Sequence, residues 1–273
     1  MHEQAFRFGR AGHLVGIAGL PANAGSPVGV IVLNAGLVHR VGPFRLHVEL
    51  TRRLNAAGYS TLRFDLSTLG DSGASGQPLS RTEQVRADVA DAMDLLARQA
   101  GCTRFVLAGL CSGAQNAHAV ACTEPRVAGA VFLDGYIYRT FGHRLRHYLP
   151  RLLNARRIAR FMTQRRQRTA PPEAPAFATT MPPRAQVRAE IAGMLARGQR
   201  LCFIYSGGIS EYFNHPRQFR ECFGRLATHP AVSVAFFAET DHTYVLAGDR
   251  TRLIGNIEAW LQCQFPATGV STP

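Results

Sequence analysis

Apolar positions along the chain follow two patterns that alternate. Short runs that are apolar at nearly every position are separated by longer stretches whose apolar residues recur every three or four positions. A continuous apolar run is typical of a strand buried on both faces, whereas the longer period is typical of a helix packed on one of those faces. The predicted strands cover residues 28–33, 60–66, 104–110, 127–133, 201–205 and 232–237. This alternation predicts an α/β fold with a mostly parallel central sheet and helices on both faces.

Local signals mark where several of these elements begin. Two β-prone runs at residues 5–10 and 13–20 precede the first buried strand and are compatible with an antiparallel hairpin. Pro43 stands where a first-turn proline belongs, at the start of a helix predicted over residues 44–57. The sequence Ser-Arg-Thr-Glu at residues 80–83 has the pattern of a capping box and opens the next predicted helix.

The regular alternation stops after the strand that ends near residue 133. Residues 136–199 have helical apolar spacing at first and then a proline-rich break at residues 170–183. Strands and helices alternate again from residue 200 onwards. We therefore predict that residues 1–135 and 200–265 form the core, that residues 136–199 are an inserted helical lid, and that the tail over residues 266–273 is loose.

The stretch Gly109-Leu110-Cys111-Ser112-Gly113 carries the strongest chemical signal. It lies where a β-prone run gives way to a helix-compatible run, and it has the nucleophile-elbow pattern G-x-nucleophile-x-G with cysteine where serine is usual. The glycines leave room for a strained turn that projects the nucleophile into a cleft. A glycine-rich turn that carries a buried cysteine is the alternative. We predict that Cys111 is a nucleophile whose thiol is activated by a base and by the start of the helix.

A histidine and an acidic residue are the expected partners of Cys111. His242 follows the last predicted strand, which is where the histidine stands in the chain order of nucleophile, acid and histidine. For the acid we favour Glu211, in the loop after the penultimate strand, and we keep Asp134, at the end of the strand before it, as the alternative. Asp241, beside the histidine, is expected to shape the turn.

Backbone N–H groups that could stabilise an oxyanion are expected at two places. The elbow offers the amide of Ser112, and the loop after the first buried strand offers the amide of Leu37 or Gly36. Three side chains on or near that loop are candidates for holding an anionic part of a substrate, although exposed loop arginines often bind nothing specific. They are His39, Arg40 and Arg45.

Composition argues against several other kinds of site. The 6 cysteines lack C-x-x-C spacing, which argues against a zinc site and against a disulfide framework. We therefore predict no metal and no cofactor. The start of the chain has no long apolar segment, and no run of about 18 apolar residues occurs, so that we expect a cytoplasmic protein without a secretory signal or a membrane span.

Two further motifs accompany the elbow and His242. Residues 62–66 have the sequence Leu-Arg-Phe-Asp-Leu, and residues 70–73 have the sequence Gly-Asp-Ser-Gly. Together these features resemble the α/β-hydrolase superfamily over nearly the whole chain. Residues 34–45, the elbow and residues 241–244 are also similar to bacterial hydrolases associated with exosortase and with exopolysaccharide or secondary-metabolite gene clusters. This resemblance implies a cysteine-nucleophile hydrolase or acyltransferase.

The function predicted from these features is acyl transfer through a covalent acyl-cysteine. In this hypothesis Cys111 is acylated by a thioester or an activated ester, His242 moves the proton, and Glu211 orients the imidazole. The alternative is a non-catalytic hydrolase-like scaffold that binds an acidic partner through its basic insertion.

Charge is concentrated in the predicted insertion. The net charge is +13, the chain contains no lysine, and fourteen arginines but only two acidic residues lie between residues 136 and 200. These arginines could attract an acyl carrier protein or coenzyme A, or they could form a solvated basic surface. The aromatic interleaving typical of nucleic-acid binding is absent from the sequence, so we expect no nucleic-acid partner.

Overall fold

The computed structural model describes residues 2–21, 26–152 and 181–267. Eight strands in these ranges form a sheet in the order β1-β2-β4-β3-β5-β6-β7-β8. They are β1 (His2–Phe8), β2 (Leu14–Leu20), β3 (Val28–Leu33), β4 (Ser60–Asp65), β5 (Arg104–Leu110), β6 (Val127–Leu133), β7 (Arg200–Ser206) and β8 (Val232–Phe237). The pairs β1-β2 and β2-β4 are antiparallel, and the remaining pairs are parallel. The predicted hairpin and the mostly parallel sheet are confirmed.

Helices cover both faces of the sheet. Within the described ranges they are α1 (Leu46–Ala56), α2 (Arg81–Ala100), α3 (Ser112–Ala121), α4 (Phe141–Leu152), α5 (Arg184–Ala196), α6 (Arg217–Phe223) and α7 (Ala247–Gln264). One face packs against α1 and α7, whose buried residues include Leu50 and Ile257. The other face packs against α2, α3, α5 and α6, whose buried residues include Met93 and Ile191. The predicted α/β-hydrolase arrangement of strands and helices is confirmed.

The starts of α1 and α2 follow different local rules. At α2 the Ser80 hydroxyl accepts a hydrogen bond from the Glu83 amide, and the Glu83 carboxylate accepts one from the Ser80 amide, which confirms the capping box. Helix α1 begins at Leu46, two residues later than predicted. The reason is that Phe44 and Arg45 have φ angles of 46° and 66°, in the left-handed region that a continuous right-handed helix excludes.

The described parts of the predicted lid lie on either side of an undescribed stretch. Helix α4 follows β6, and α5 leads back to β7 with Val187 and Ile191 buried against the core. Residues 153–180 lie outside the described residues, and so does most of the predicted tail, residues 268–273. The lid as a unit and the domain boundaries therefore stay predictions.

The parallel strands bring three chemically important positions to one edge of the sheet. Cys111 follows β5, Asp134 follows β6, and His242 lies in the loop after β8. Because the carboxyl ends of parallel strands meet at the same edge, these residues come together although they are far apart in sequence.

Candidate active site

Cys111 lies between β5 and α3 in a backbone conformation that few non-glycine residues adopt. Its φ is 57° and its ψ is −117°, outside the regions that are comfortable for a residue with a Cβ. A Cβ at Gly109 would overlap the backbone of Gly113, and a Cβ at Gly113 would lie 2.5 Å from the carbonyl oxygen of Asn34. Both glycines are therefore needed for the sharp turn, and the strand, turn and helix predicted for the elbow are present.

The imidazole of His242 joins Cys111 to a buried acid. Its Nδ1 atom lies 2.7 Å from Oδ2 of Asp134, and the ring also interacts with the Cys111 thiol, which shifts the pKa of both groups. The turn that presents this ring is shaped by Asp241, whose carboxylate accepts hydrogen bonds from the Thr243 and Val245 amides at 2.8 and 2.9 Å. Sulfur, imidazole and carboxylate thus interact in sequence, with His242 between Cys111 and Asp134.

Asp134 is held in place by the end of the neighbouring strand. Its side chain has no solvent exposure, and its carboxylate accepts hydrogen bonds from the amide and the hydroxyl of Ser206, each at 2.7 Å. The backbone of Asp134 is itself in the left-handed region, with a φ of 49°. A buried carboxylate needs several donors to stay charged, and here the donors are Ser206 and His242.

Glu211 is not the acid that contacts His242, which corrects the sequence expectation. Its side chain is 77% exposed, and its nearest cation is Arg139, with Arg139 Nη2 at 4.0 Å from Glu211 Oε2. The Arg139 side chain also donates to the Glu211 carbonyl oxygen at 2.8 Å. The alternative considered from the sequence, Asp134, occupies the position beside the imidazole.

The course of the chain after β7 explains this outcome. The buried end of β7 is Ser206, and two glycines follow it at positions where the backbone passes directly against the loop that carries His242. A Cβ at Gly207 would overlap the Ala238 carbonyl oxygen, and a Cβ at Gly208 would overlap the His242 amide nitrogen. Only glycine fits at these two positions. The turn that follows places the side chain of Glu211, the next acidic residue, at the surface.

The charges of the site favour a thiolate paired with an imidazolium. The hydrogen bond to Asp134, together with the one to Cys111, raises the pKa of His242 to about 10. The hydrogen bond to His242 lowers the pKa of the Cys111 thiol below its ordinary value, against the effect of burial. The backbone amide of Ser112 adds a further hydrogen bond to the sulfur. Cys111 is therefore in an environment that activates a cysteine.

Two of the predicted oxyanion donors are close to each other. The Ser112 amide faces the Cys111 sulfur, and the amide of Gly36 donates to the Ser112 hydroxyl at 2.7 Å. Gly36 and Leu37 are exposed in the loop after β3, with φ of 57° at Gly36. The loop predicted to supply the second donor therefore contacts the elbow, through Gly36.

Arg40 has a different environment from the one expected of a substrate-binding residue. Its guanidinium lies 2.5 Å from Asp65 and 2.6 Å from Asp71, and only 17% of its side chain is exposed. The buried Asp65 carboxylate also accepts from the Arg40 amide and from the side-chain amide of Asn34. These contacts tie the loop after β3 to the loop after β4, so that Arg40 holds the Gly36 loop in position and is not free for a substrate.

The other two predicted substrate-binding residues near this loop are open to solvent. His39 and Arg45 are exposed, and they stay candidates for contact with a substrate. Several apolar side chains on the loops that carry Gly36 and His242 are also exposed, by between 38% and 64%: Leu37, Val38, Phe44, Val245 and Leu246. An apolar rim of this kind is suited to an acyl group.

Comparison with protein families places this geometry in a known group. The model of the alpha/beta hydrolase family matches residues 30–268, which include the elbow, Asp134 and His242. The chain belongs to the alpha/beta hydrolase family. A comparison with curated protein sequences gives no significant match.

Solved structures share the hydrolase fold with this chain at low sequence identity. An esterase of Pyrococcus furiosus superposes with a TM-score of 0.64 at 15% identity, over 96% of this chain and 91% of the esterase. An α/β serine hydrolase without a lid from Xanthomonas campestris has a TM-score of 0.57 at 16% identity, over 100% of this chain and 96% of that one. A putative α/β hydrolase of Agrobacterium tumefaciens has a TM-score of 0.59 at 15% identity, over 96% and 95% of the two chains.

Sequence reasoning missed one important residue of this hydrolase. Ser206 donates two hydrogen bonds to Asp134, and its only sequence signal is its place at the end of a strand, directly before Gly207 and Gly208. Among the helices of the described ranges, none combines the length and the apolar character that crossing a membrane requires.

Proposed function

We propose that this alpha/beta hydrolase forms a covalent acyl-cysteine intermediate at Cys111 and transfers the acyl group to water or to another nucleophile. The observation that carries the proposal is the position of His242, which is hydrogen bonded to the buried Asp134 carboxylate and interacts with the Cys111 thiol at the elbow. A nucleophile, a base and an orienting acid in this order are the arrangement of a catalytic triad.

Acylation begins with attack of the Cys111 thiolate on the carbonyl carbon of the substrate. A sulfur–carbon bond forms, and the electron pair of the carbonyl moves to its oxygen. The amides of Ser112 and Leu37 are the proposed donors to that oxyanion, since the Gly36 amide already donates to the Ser112 hydroxyl. When the oxyanion collapses, the bond to the leaving group breaks, and the leaving group takes the proton from Nε2 of His242.

Release of the acyl group repeats these steps with a new nucleophile. The now neutral His242 removes a proton from water, or from an alcohol, amine or thiol, as that molecule attacks the acyl carbon. The bond to Cys111 breaks, and the sulfur leaves as a thiolate beside the regenerated imidazolium. Asp134 keeps the ring oriented through Nδ1 in both halves of the reaction.

Cysteine at the elbow favours thioesters and activated esters as substrates. A thiolate is a strong nucleophile near neutral pH but also a good leaving group, so that attack on an unactivated ester or amide tends to reverse. This distinguishes the proposed chemistry from that of a serine esterase. The motifs at residues 34–45 and 241–244 support a relationship with hydrolases of exosortase-associated and exopolysaccharide gene clusters.

A carrier-bound acyl group is the proposed form of the substrate. The segment that follows Asp134 forms part of a surface cavity of about 540 Å³. The lining of this cavity includes the arginines Arg139, Arg144 and Arg184. The phosphate of coenzyme A, or of the phosphopantetheine on an acyl carrier protein, would be attracted to such a cluster of guanidinium groups. The exposed apolar rim near Gly36 and His242 would then receive the acyl chain.

The decisive experiment is the search for an acyl adduct. The protein is incubated with acyl-coenzyme A thioesters of graded chain length, quenched in acid and digested, and the peptides are analysed by mass spectrometry. We expect an acyl group on the peptide that contains Cys111 and no adduct at that peptide in Cys111→Ala.

Two variants separate the steps of the proposal. Asp134→Asn should slow formation of the adduct, because the imidazole loses its orienting partner. Arg139→Gln should raise the KM for acyl-coenzyme A with little change for a small acyl thioester that lacks the phosphates. The proposal fails if no adduct forms with any thioester, or if Cys111→Ala keeps full thioesterase activity.

A further inference from the structure

Three potential metal ligands meet away from the active site. His118 and Cys122 lie on or next to α3, one helical turn apart, and Glu190 lies on α5. One ligand atom from each of these residues, an imidazole nitrogen, the sulfur and a carboxylate oxygen, lies within 4.8 Å of the other two. Side chains four residues apart on a helix face the same side, which is a common spacing for a pair of metal ligands.

The imidazole and the carboxylate of this cluster already contact each other. His118 Nε2 lies 2.8 Å from Glu190 Oε2, and only 5% of the His118 side chain is exposed. The second carboxylate oxygen, Oε1, accepts a hydrogen bond from Gln186 at 2.9 Å. Gln186 thus orients the carboxylate so that one oxygen is directed to His118, as groups outside a metal's first ligands commonly do.

Aromatic rings restrict the His118 side chain further. The His118 ring lies 5.7 Å from the ring of Phe132 and 5.2 Å from the ring of Tyr136, measured between centroids. Cys122 is half-buried and near enough to Glu190 for the two to interact electrostatically. The nitrogen, sulfur and oxygen atoms therefore lie close together between two helices, with the imidazole buried and the sulfur partly shielded from water.

We propose that His118, Cys122 and Glu190 bind a Zn²⁺ ion. Nitrogen, thiolate sulfur and carboxylate oxygen are the ligand types that zinc takes in proteins, with a water molecule as the fourth ligand of a tetrahedral site. The ion replaces the hydrogen bond between His118 and Glu190, and the Cys122 thiol releases its proton to solvent on binding. The two charges of Zn²⁺ are then balanced by one thiolate and one carboxylate.

This site would fasten the end of the insertion to the core. Helix α5 is the first described element after residues 153–180, and α3 is the helix that begins at the elbow. His118 lies seven residues after Cys111, which along a helix corresponds to about 10 Å. The proposed ion is thus a structural link between α3 and α5 and takes no part in the reaction at Cys111.

Cobalt provides a direct test because it reports on its ligands. The full-length protein is freed of metal with a chelator, the chelator is removed, and Co²⁺ is added in equimolar steps. We expect a thiolate-to-cobalt charge-transfer band and the visible bands of tetrahedral cobalt, both displaced by Zn²⁺. Cys122→Ser should lose the charge-transfer band, whereas Cys111→Ser and Cys263→Ser should keep it.

A second measurement does not depend on the Cys122→Ser variant. Zn²⁺ should raise the unfolding temperature of the wild-type protein, because a ligand that binds only the folded state stabilises it. Glu190→Gln keeps a polar group at a partly exposed position and should weaken Zn²⁺ binding about tenfold or more. The proposal is overturned if wild type gives no charge-transfer band, if the band is lost in Cys111→Ser instead of Cys122→Ser, or if Glu190→Gln binds Zn²⁺ as tightly as wild type.

Discussion

The ends of β6 and β7 lie side by side, yet they carry different parts of the site. Asp134 directly follows β6 and is buried and hydrogen bonded to His242, whereas β7 ends in Ser206, which donates to Asp134. The acidic residue after β7, Glu211, is at the surface. An acidic residue therefore contacts the histidine here because it is buried at the end of one strand and because the neighbouring strand supplies hydrogen-bond donors to its carboxylate.

The largest expected effect comes from removing the charge at the end of β6. Asp134→Asn should lower kcat/KM for an acyl thioester by about a thousandfold, because the amide favours the wrong tautomer of His242 and does not stabilise the imidazolium. Steady-state kinetics on the purified variant test this. If the loss is only a few-fold, Asp134 does not orient the base.

The next largest effect should come from a substitution where the backbone directly after β7 packs against the loop that carries His242. A Cβ at Gly208 would overlap the His242 amide nitrogen, so Gly208→Ala should displace the imidazole and reduce kcat/KM about a hundredfold. Gly255→Ala in α7 is the matched control, because a Cβ there meets nothing within 4 Å. That variant should keep full activity, and an equal loss in both variants would contradict the proposed role of the close approach.

A smaller effect is expected from the donor on β7. Ser206→Ala removes the hydroxyl hydrogen bond to Asp134 and leaves the one from the backbone amide. We expect kcat to fall about tenfold, which corresponds to about 1.4 kcal/mol and is typical of one hydrogen bond to a charged group. Ser206→Thr keeps the hydroxyl and should recover most of this loss; if it does not, the effect of the alanine variant is due to packing.

The smallest effect should be that of the acid after β7. Glu211→Gln removes an exposed carboxylate that is 4.0 Å from Arg139, and kcat/KM should stay within about twofold of wild type. Measured beside Asp134→Asn, this variant decides between the two acids. A larger loss of kcat/KM in Glu211→Gln than in Asp134→Asn would show that Glu211, and not Asp134, is the acid that acts with His242.

Local patterns were enough to predict much of this molecule. Buried strands appear as continuous apolar runs, and the elbow has glycines at fixed distances from Cys111, so that both could be predicted from neighbouring residues. His242 could be predicted from its place after the last strand. The choice of the acid could not be predicted in this way, since both Asp134 and Glu211 follow strands and only the packing of β7 against the histidine loop separates them.

Contacts between segments that are far apart in sequence account for the other differences between the predicted and the observed sites. Arg40 was expected to contact a substrate, but it pairs with Asp65 at the end of β4 and with Asp71 in the loop that follows β4. The lack of C-x-x-C spacing does not reveal a cluster whose third member, Glu190, lies far along the chain. The four-residue spacing of His118 and Cys122 was the signal available in the sequence.

The reactivity of the Cys111 thiol tests the central claim most directly. Because the pKa of the Cys111 thiol is lowered and that of His242 is raised to about 10, a larger fraction of this sulfur should be thiolate at pH 6 than in an ordinary cysteine, which is almost wholly a thiol at that pH. The exposed Cys263 serves as an internal reference. With iodoacetamide at pH 6, followed by peptide mass spectrometry, the account predicts alkylation of Cys111 at least about tenfold faster than that of Cys263. Alkylation of Cys111 no faster than that of Cys263 would contradict it.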